Sequence, residues 1–279
     1  MKVSMKLLFV GVALMSTIFT GCKKEILNPS NTDGLVMIAT GYSDAGSMKI
    51  SVYSTDSLYS QYTNLFIEVR DSATDAVIED GHIEIMPMMD MGTMMHSAPF
   101  EDPSGTAATD GLFPCAVVFQ MPSEMATMPG TMGWSLKVHV HEHVNGGDGE
   151  VTFPLLVKNP TPTRTRVVIP LNDAMSRLVI SYAQPLDPKV GVNDFEVTLH
   201  SRETMMSWPG IENYTVEIEP EMPSMGHGSP NNVNPTHTSN GHYKGKVNFT
   251  MTGVWRVNLK IMDGATVVDN SSYFEVTLQ

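Results

Sequence analysis

The 279-residue sequence predicts an all-β protein of two tandem antiparallel β-sandwich domains. Three observations carry this. From Val36 onward, short alternating runs rich in Val, Ile, Phe and Tyr (residues 49–53, 65–69 and 195–199, for example) are broken by Gly, Pro, Asn and Asp. No long run has helical period, as expected of an antiparallel sandwich. The second half of the chain then echoes the first in order, the mark of a repeated unit.

The N-terminus reads as an address. Lys2 and Lys6 precede an apolar stretch, residues 7–19, that is too short to span a bilayer comfortably. It ends in Ile18-Phe19-Thr20-Gly21-Cys22, which resembles the lipobox of bacterial lipoproteins, with Phe19 where Leu is commoner. The resemblance implies a signal peptide over 1–21, lipid on Cys22, and a membrane partner. That membrane would be the inner or outer one of a Gram-negative-type bacterium, with the protein in the periplasm or at the cell surface. An ordinary signal peptide cut nearby is the alternative, and it also exports the chain. Residues 22–34 read as a polar tether. With Cys22 lipidated, Cys115 is left alone, so packing rather than a disulfide must hold the fold.

The repeat sets the domains. Residues 64–72 echo 193–201, and 82–87 echo 215–220. Met89-Asp90-Met91-Gly92 echoes Met222-Pro223-Ser224-Met225-Gly226, and His96 pairs with His227. Asp110-Gly111 matches Asn240-Gly241, 117–121 matches 247–251, and 134–138 matches 255–259. The domains are therefore expected over 35–158 and 163–279, joined by Asn159-Pro160-Thr161-Pro162-Thr163. Alternation turns Tyr243, Gly245, Val247, Phe249 and Met251 to one face, and Trp255, Val257, Leu259 and Ile261 to another. The same parity places Phe113, Cys115, Val117, Phe119 and Met121 inward. Cys115 is expected as a buried hydrophobe, and Trp134 and Trp255 as core anchors.

The shared series Met-Pro-x-Met-Gly-His, Asn-Gly-x-Tyr and Val-x-Phe-x-Met-x-Gly-x-Trp, clearest from Met222 to Trp255, resembles the YtkA-like family, related to FixH. The first copy resembles it more loosely, with three extra residues before His96 and a longer loop after Met121. The resemblance implies immunoglobulin-like sandwiches and an extracytoplasmic role linked to copper.

Composition points the same way. A formal net charge of −13 repels phosphate backbones, so no nucleic-acid partner is expected. There are 22 methionines, and ten of them lie between Met86 and Met132. Thioether sulfur is a soft donor suited to Cu(I), has no proton to lose, and forms no disulfide outside the cell. In the second domain the candidate ligands are Met222, Met225 and His227, with Met251 at a strand end and His237 and His242 as further options. Gly226 gives the His227 ring freedom to turn inward. The same methionines also suit a plug in the open end of the sandwich.

In the first domain the candidates are Met89, Met91, Met94, Met95 and His96, faced by Met121, Met125 and Met128. Pro87, Asp90, Gly92 and Pro99 argue against a regular helix or a central strand there. Metal capture, a partner surface and a mini-core over the sandwich end all fit such loops.

His139, His141 and His143 fall at i, i+2 and i+4 of a strand whose Leu136, Val138 and Val140 face the core. The three therefore share the solvent face, in a row suited to Cu(II) or Zn(II) or simply to water.

No phosphate loop, nucleophile elbow or HExxH is present, and no enzyme is expected. The expectation is an exported, lipid-anchored copper-binding protein for capture, storage or transfer, with a copper-transfer protein as a further partner. The rival is a tandem surface lipoprotein that binds protein or glycan without metal.

Overall fold

A computed structural model of the chain describes residues 30–123 and 133–279. Every element among the described residues is a strand. The first nine are β1 (Val36–Tyr42), β2 (Met48–Ser54), β3 (Tyr62–Asp71), β4 (Gly81–Asp90), β5 (Met95–Ser97), β6 (Phe100–Glu101), β7 (Phe113–Val118), β8 (Gly133–Glu142) and β9 (Asp148–Leu155). They form two antiparallel sheets, β1-β2-β3-β7-β6 and β5-β4-β8-β9.

The next ten are β10 (Thr165–Val168), β11 (Leu178–Gln184), β12 (Gly191–Ser201), β13 (Thr215–Met222), β14 (His227–Gly228), β15 (Val233–Ser239), β16 (His242–Phe249), β17 (Gly253–Asp263), β18 (Thr266–Asp269) and β19 (Tyr273–Leu278). Their sheets run β10-β11-β12-β16-β15 and β14-β13-β17-β18, with β19 also paired to β17. Strand for strand, β10-β11-β12-β16-β15 repeats the order of β1-β2-β3-β7-β6, and β14-β13-β17-β19 that of β5-β4-β8-β9. The result is two immunoglobulin-like β-sandwiches.

Each sandwich closes on its own core. One gathers Ile50, Leu65, Phe113, Phe119, Trp134 and Val138 among others. The second gathers Tyr182, Phe195, Tyr243, Phe249, Trp255 and Phe274. Trp134 and Trp255 have no exposed surface and anchor these cores. Cys115 is buried and free, and burial pushes its thiol up, away from ionisation. It behaves as the small hydrophobe its parity predicts.

The paired Asp-Gly and Asn-Gly dipeptides are tight turns, with positive φ at Asp110, Gly111, Asn240 and Gly241. Gly241 allows no substitute, because a Cβ there would lie 2.3 Å from the Leu199 carbonyl oxygen.

Three expectations are corrected. Met251 and Met121 do not follow strand parity into the core. Strand β16 ends at Phe249 and β7 at Val118, so Met251 sits exposed in a turn and Met121 is half-buried. Pro87 lies inside β4, paired with Leu136 on β8. It is tolerated because its carbonyl accepts a hydrogen bond from Ser97 Oγ at 2.9 Å, so its missing N–H faces the β5 edge and not β8. The end of the expected tether is also fixed: the Asn31 N–H donates to the Asp110 carbonyl at 2.9 Å.

Candidate functional site

The Met-Pro-Ser-Met-Gly-His stretch forms a hairpin at one end of the second sandwich. The Met222 carbonyl accepts from the N–H groups of Met225 (3.0 Å) and Gly226 (2.9 Å), and Gly226 takes φ +66°. This closes the turn and pairs Met222 with His227 across β13 and β14. Met222 is buried against the core, its methyl so close to Gly253 that a Cβ there would lie 3.1 Å from it. The half-buried His227 sets its ring edge-on to Trp255, centroids 5.8 Å apart at 84°. The Trp255 indole N–H donates to the Met251 carbonyl at 3.0 Å. Met222, His227, Trp255 and the Met251 backbone thus meet at one place. Met225 does not join them: it is 60% exposed at the turn tip.

The first sandwich has the same arrangement. Met89 pairs with His96 on β5 and with Trp134 on β8, and is fully buried. His96 meets Trp134 edge-on, centroids 5.7 Å apart at 89°. The Trp134 indole N–H donates to the Met121 carbonyl at 2.8 Å. A turn at Gly92, closed by Met91 N–H to the Met94 carbonyl, leaves Met94 and Met95 each 52% exposed, while Met91 packs partly against the core. Met125 and Met128 lie outside the described residues.

His139 and His141 lie on the outer face of β8, as alternation requires, and His143 lies just past the strand's end. Each has a carboxylate neighbour that the sequence pattern did not reveal. His141 Nδ1 bonds Asp148 at 2.7 Å and His143 Nδ1 bonds Asp80 at 3.0 Å. His139 lies between Glu84 (3.9 Å) and Asp148 (4.0 Å). A carboxylate can only accept, so both Nδ1 atoms carry the proton and Nε2 of His141 and His143 is left to other partners. Their ring centroids are 5.7 Å apart. Among the described residues no three His, Cys, Asp or Glu side chains are grouped to hold an ion.

His242 does not belong with the methionines. It is buried where the sandwiches meet, with Nε2 2.6 Å from Glu101 of β6 and Nδ1 2.5 Å from Glu196 of β12. Both nitrogens donate, so the ring is an imidazolium. Burial alone would push its pKa down, but hydrogen bonds and charge from the two carboxylates outweigh it and hold it at about 9. Tyr62 presents its ring edge to His242 at 5.2 Å, and its backbone N–H donates to Ser181 Oγ at 2.8 Å, again across the seam. The four groups line a polar cleft of about 350 Å³ with Lys244 and Gln184. His237 stacks edge-on to Tyr243, 5.5 Å away, apart from the Met222 hairpin.

Residues 177–260 match the YtkA-like family. The YtkA-like segment holds β11 to β16 and most of β17, and with them Met222, His227, Met251 and Trp255. No curated protein matches the chain. Among solved structures, a chimeric titin Z1Z2 functionalised with a KLER exogenous peptide from decorin is 12% identical, covering 87% of this chain and 97% of its own, with a TM-score of 0.20. The titin I-band fragment I67–I69 is 8% identical, covering 81% of this chain and 62% of its own, with a TM-score of 0.19.

Proposed function

We propose that the protein is an exported, lipid-anchored copper binder that captures Cu(I) at the Met–His–Trp ends of its sandwiches. The observation that carries this reading is the recurrence of one constellation: Met222, His227 and Trp255 in the YtkA-like segment, and Met89, His96 and Trp134 in the first sandwich. Core packing alone asks for no imidazole set perpendicular to an indole beside a methionine, twice.

The chemistry follows from position. Met225, and in the first sandwich Met94 and Met95, hold soft sulfur in water, where cargo Cu(I) is met first. Ligand exchange passes it inward to His227 and Met222, at the mouth of a core that keeps competing water away. The indole beside it adds a π-face attractive to a cation. Redundant sulfurs suit binding and hand-over, and no catalytic role is assigned. His141 and His143, each oriented through Nδ1 by a carboxylate, suit Cu(II) or Zn(II). A glycan-binding role is disfavoured, since Trp134 and Trp255 are wholly buried and Trp208 is only partly exposed.

The test is anaerobic Cu(I) titration against a chromogenic competitor, with tryptophan emission read in parallel. Binding tighter than micromolar, weakened by replacing Met222, Met225 and His227 together, is expected. Binding weaker than that, or indifferent to the replacement, removes the reading.

A further inference from the structure

The constellation in the first sandwich differs from its counterpart in one respect: the second sandwich reaches over it. The loop between β12 and β13 is folded on itself. Thr204 Oγ1 accepts from the Met206 N–H at 3.1 Å, Ser207 Oγ donates to Glu203 at 2.8 Å, and the Ser201 N–H donates to the Pro209 carbonyl at 3.1 Å. Gly210 at its base packs so closely that a Cβ would lie 2.4 Å from the Asn240 backbone. The loop thus holds a set shape. Its Met205 carbonyl accepts the Ser97 N–H at 2.8 Å, joining it to the residue after His96. Its Trp208 brings a second indole to His96, centroids 6.5 Å apart at 62°.

Two polar atoms at this seam have no hydrogen-bond partner among the described residues. His96 is 95% buried by residue surface, and its Nδ1 lies 2.7 Å from the Ser97 carbonyl oxygen. A carbonyl only accepts, so Nδ1 carries the proton and Nε2 keeps a lone pair. Among the described residues nothing hydrogen-bonds to that Nε2. The Trp208 indole nitrogen is buried, with no partner among the described residues. A buried imidazole with its tautomer fixed by a carbonyl and its other nitrogen unused is the form in which histidine ligates metals. Both sandwiches bring thioether-bearing residues to this seam: Met205, whose carbonyl meets Ser97, with Met206 from the loop, and Met94 and Met95 just before His96 in the chain, all exposed.

We propose that the seam is a Cu(I) site shared between the sandwiches, with His96 Nε2 from the first, the Met205 thioether from the second, and Trp208 as the covering ring. It rests on the copper reading and adds that one site is completed only when the two sandwiches are docked. Occupancy then ties them together, while the open His227 end acts by itself.

Methyl-labelled methionine NMR tests this on the two-domain chain under anaerobic Cu(I), with Ag(I) as a redox-inert probe. Met205→Leu assigns its methyl signal and keeps side-chain volume at an exposed position. The Met205 methyl and the His96 ring signals should shift together and saturate at the same metal equivalent. Met205→Leu should weaken that equivalent by at least about tenfold, with the melting temperature unchanged. Trp208→Phe should remove the emission change that accompanies it. If the Met222 and Met251 methyls respond and Met205 does not, the shared site is wrong and the copper reading stands. If no methionine methyl responds to Cu(I), both fall.

Discussion

Glu101 of the first sandwich and His242 of the second share a hydrogen bond of 2.6 Å across the seam. The other face of the imidazolium is held by Glu196, so one proton set decides whether this bond across the seam forms. His242 titrates near 9, above the ordinary histidine value, so its contribution is complete below about pH 6.5 and is lost as pH rises through 9. Glu196 acts at the other end. Burial opposes its charge, but the His242 bond outweighs that and lowers its pKa, so its contribution is lost only as pH falls through that lowered value. Lys244, 3.5 Å from Glu196, adds a screened, more exposed cation. Glu101→Gln should cost about 2 kcal/mol at pH 6.5, and the gap to the parent should narrow by pH 9.5. Melts at both values check it, and an equal gap at both would show that the bond does not hold the seam.

Met222 has two duties that one pair of substitutions separates. Met222→Ala opens a cavity beside Trp255 and Gly253 and should cost about 2–5 kcal/mol. Met222→Leu keeps the volume and should cost less than about 1.5 kcal/mol, yet it removes the sulfur. The Leu variant is therefore the clean probe, and denaturant melts with Cu(I) competition should show near-parental stability with weakened binding. Equal Cu(I) affinity in the Leu variant would assign Met222 to the core alone.

The proposed lipid anchor is testable without the fold. Cys22→Ser should move the exported protein from the detergent phase to the aqueous phase in Triton X-114 partition. It should also abolish labelling by a fatty-acid analogue. Detergent partition unchanged by the substitution would replace the anchor with an ordinary cleaved signal.

Alternation made most of the fold legible. Leu136, Val138 and Val140 inward with His139 and His141 outward follows from period two alone, and so do the Trp134 and Trp255 anchors. Parity failed at Met121 and Met251 because it holds only while the strand lasts, and each lies beyond its strand's end. The breaker reading misjudged Pro87, since proline is barred only from the hydrogen-bonded edge and sequence does not say which edge that is. The internal repeat showed that Met222 and His227 share a slot with Met89 and His96. It did not show that Met225 points away, which the Gly226 turn decides. Nothing local linked His242 to Glu101, 141 positions away, or Met205 to Ser97. Those pairings exist only once two separately folded sandwiches dock, and neither copy's pattern encodes the other's surface.

The outer face of β8 makes a different demand on metal. His141 and His143 are too exposed to exclude water and carry no sulfur, so they favour Zn(II) or Cu(II) over Cu(I). Their strength depends on Asp148 and Asp80, which fix the ring tautomer and orientation. His139, near the same Asp148, and His82, opposite His141 on β4, add further imidazoles to that face. Calorimetric titration with Zn(II) should give one site that is lost with His141→Gln and weakened about tenfold by Asp148→Asn, with no effect on Cu(I) competition at the Met222 end. A Zn(II) isotherm that survives His141→Gln would place the ion elsewhere. No Zn(II) or Cu(II) isotherm at all would leave the row as a solvated strand face, ordered by its carboxylates.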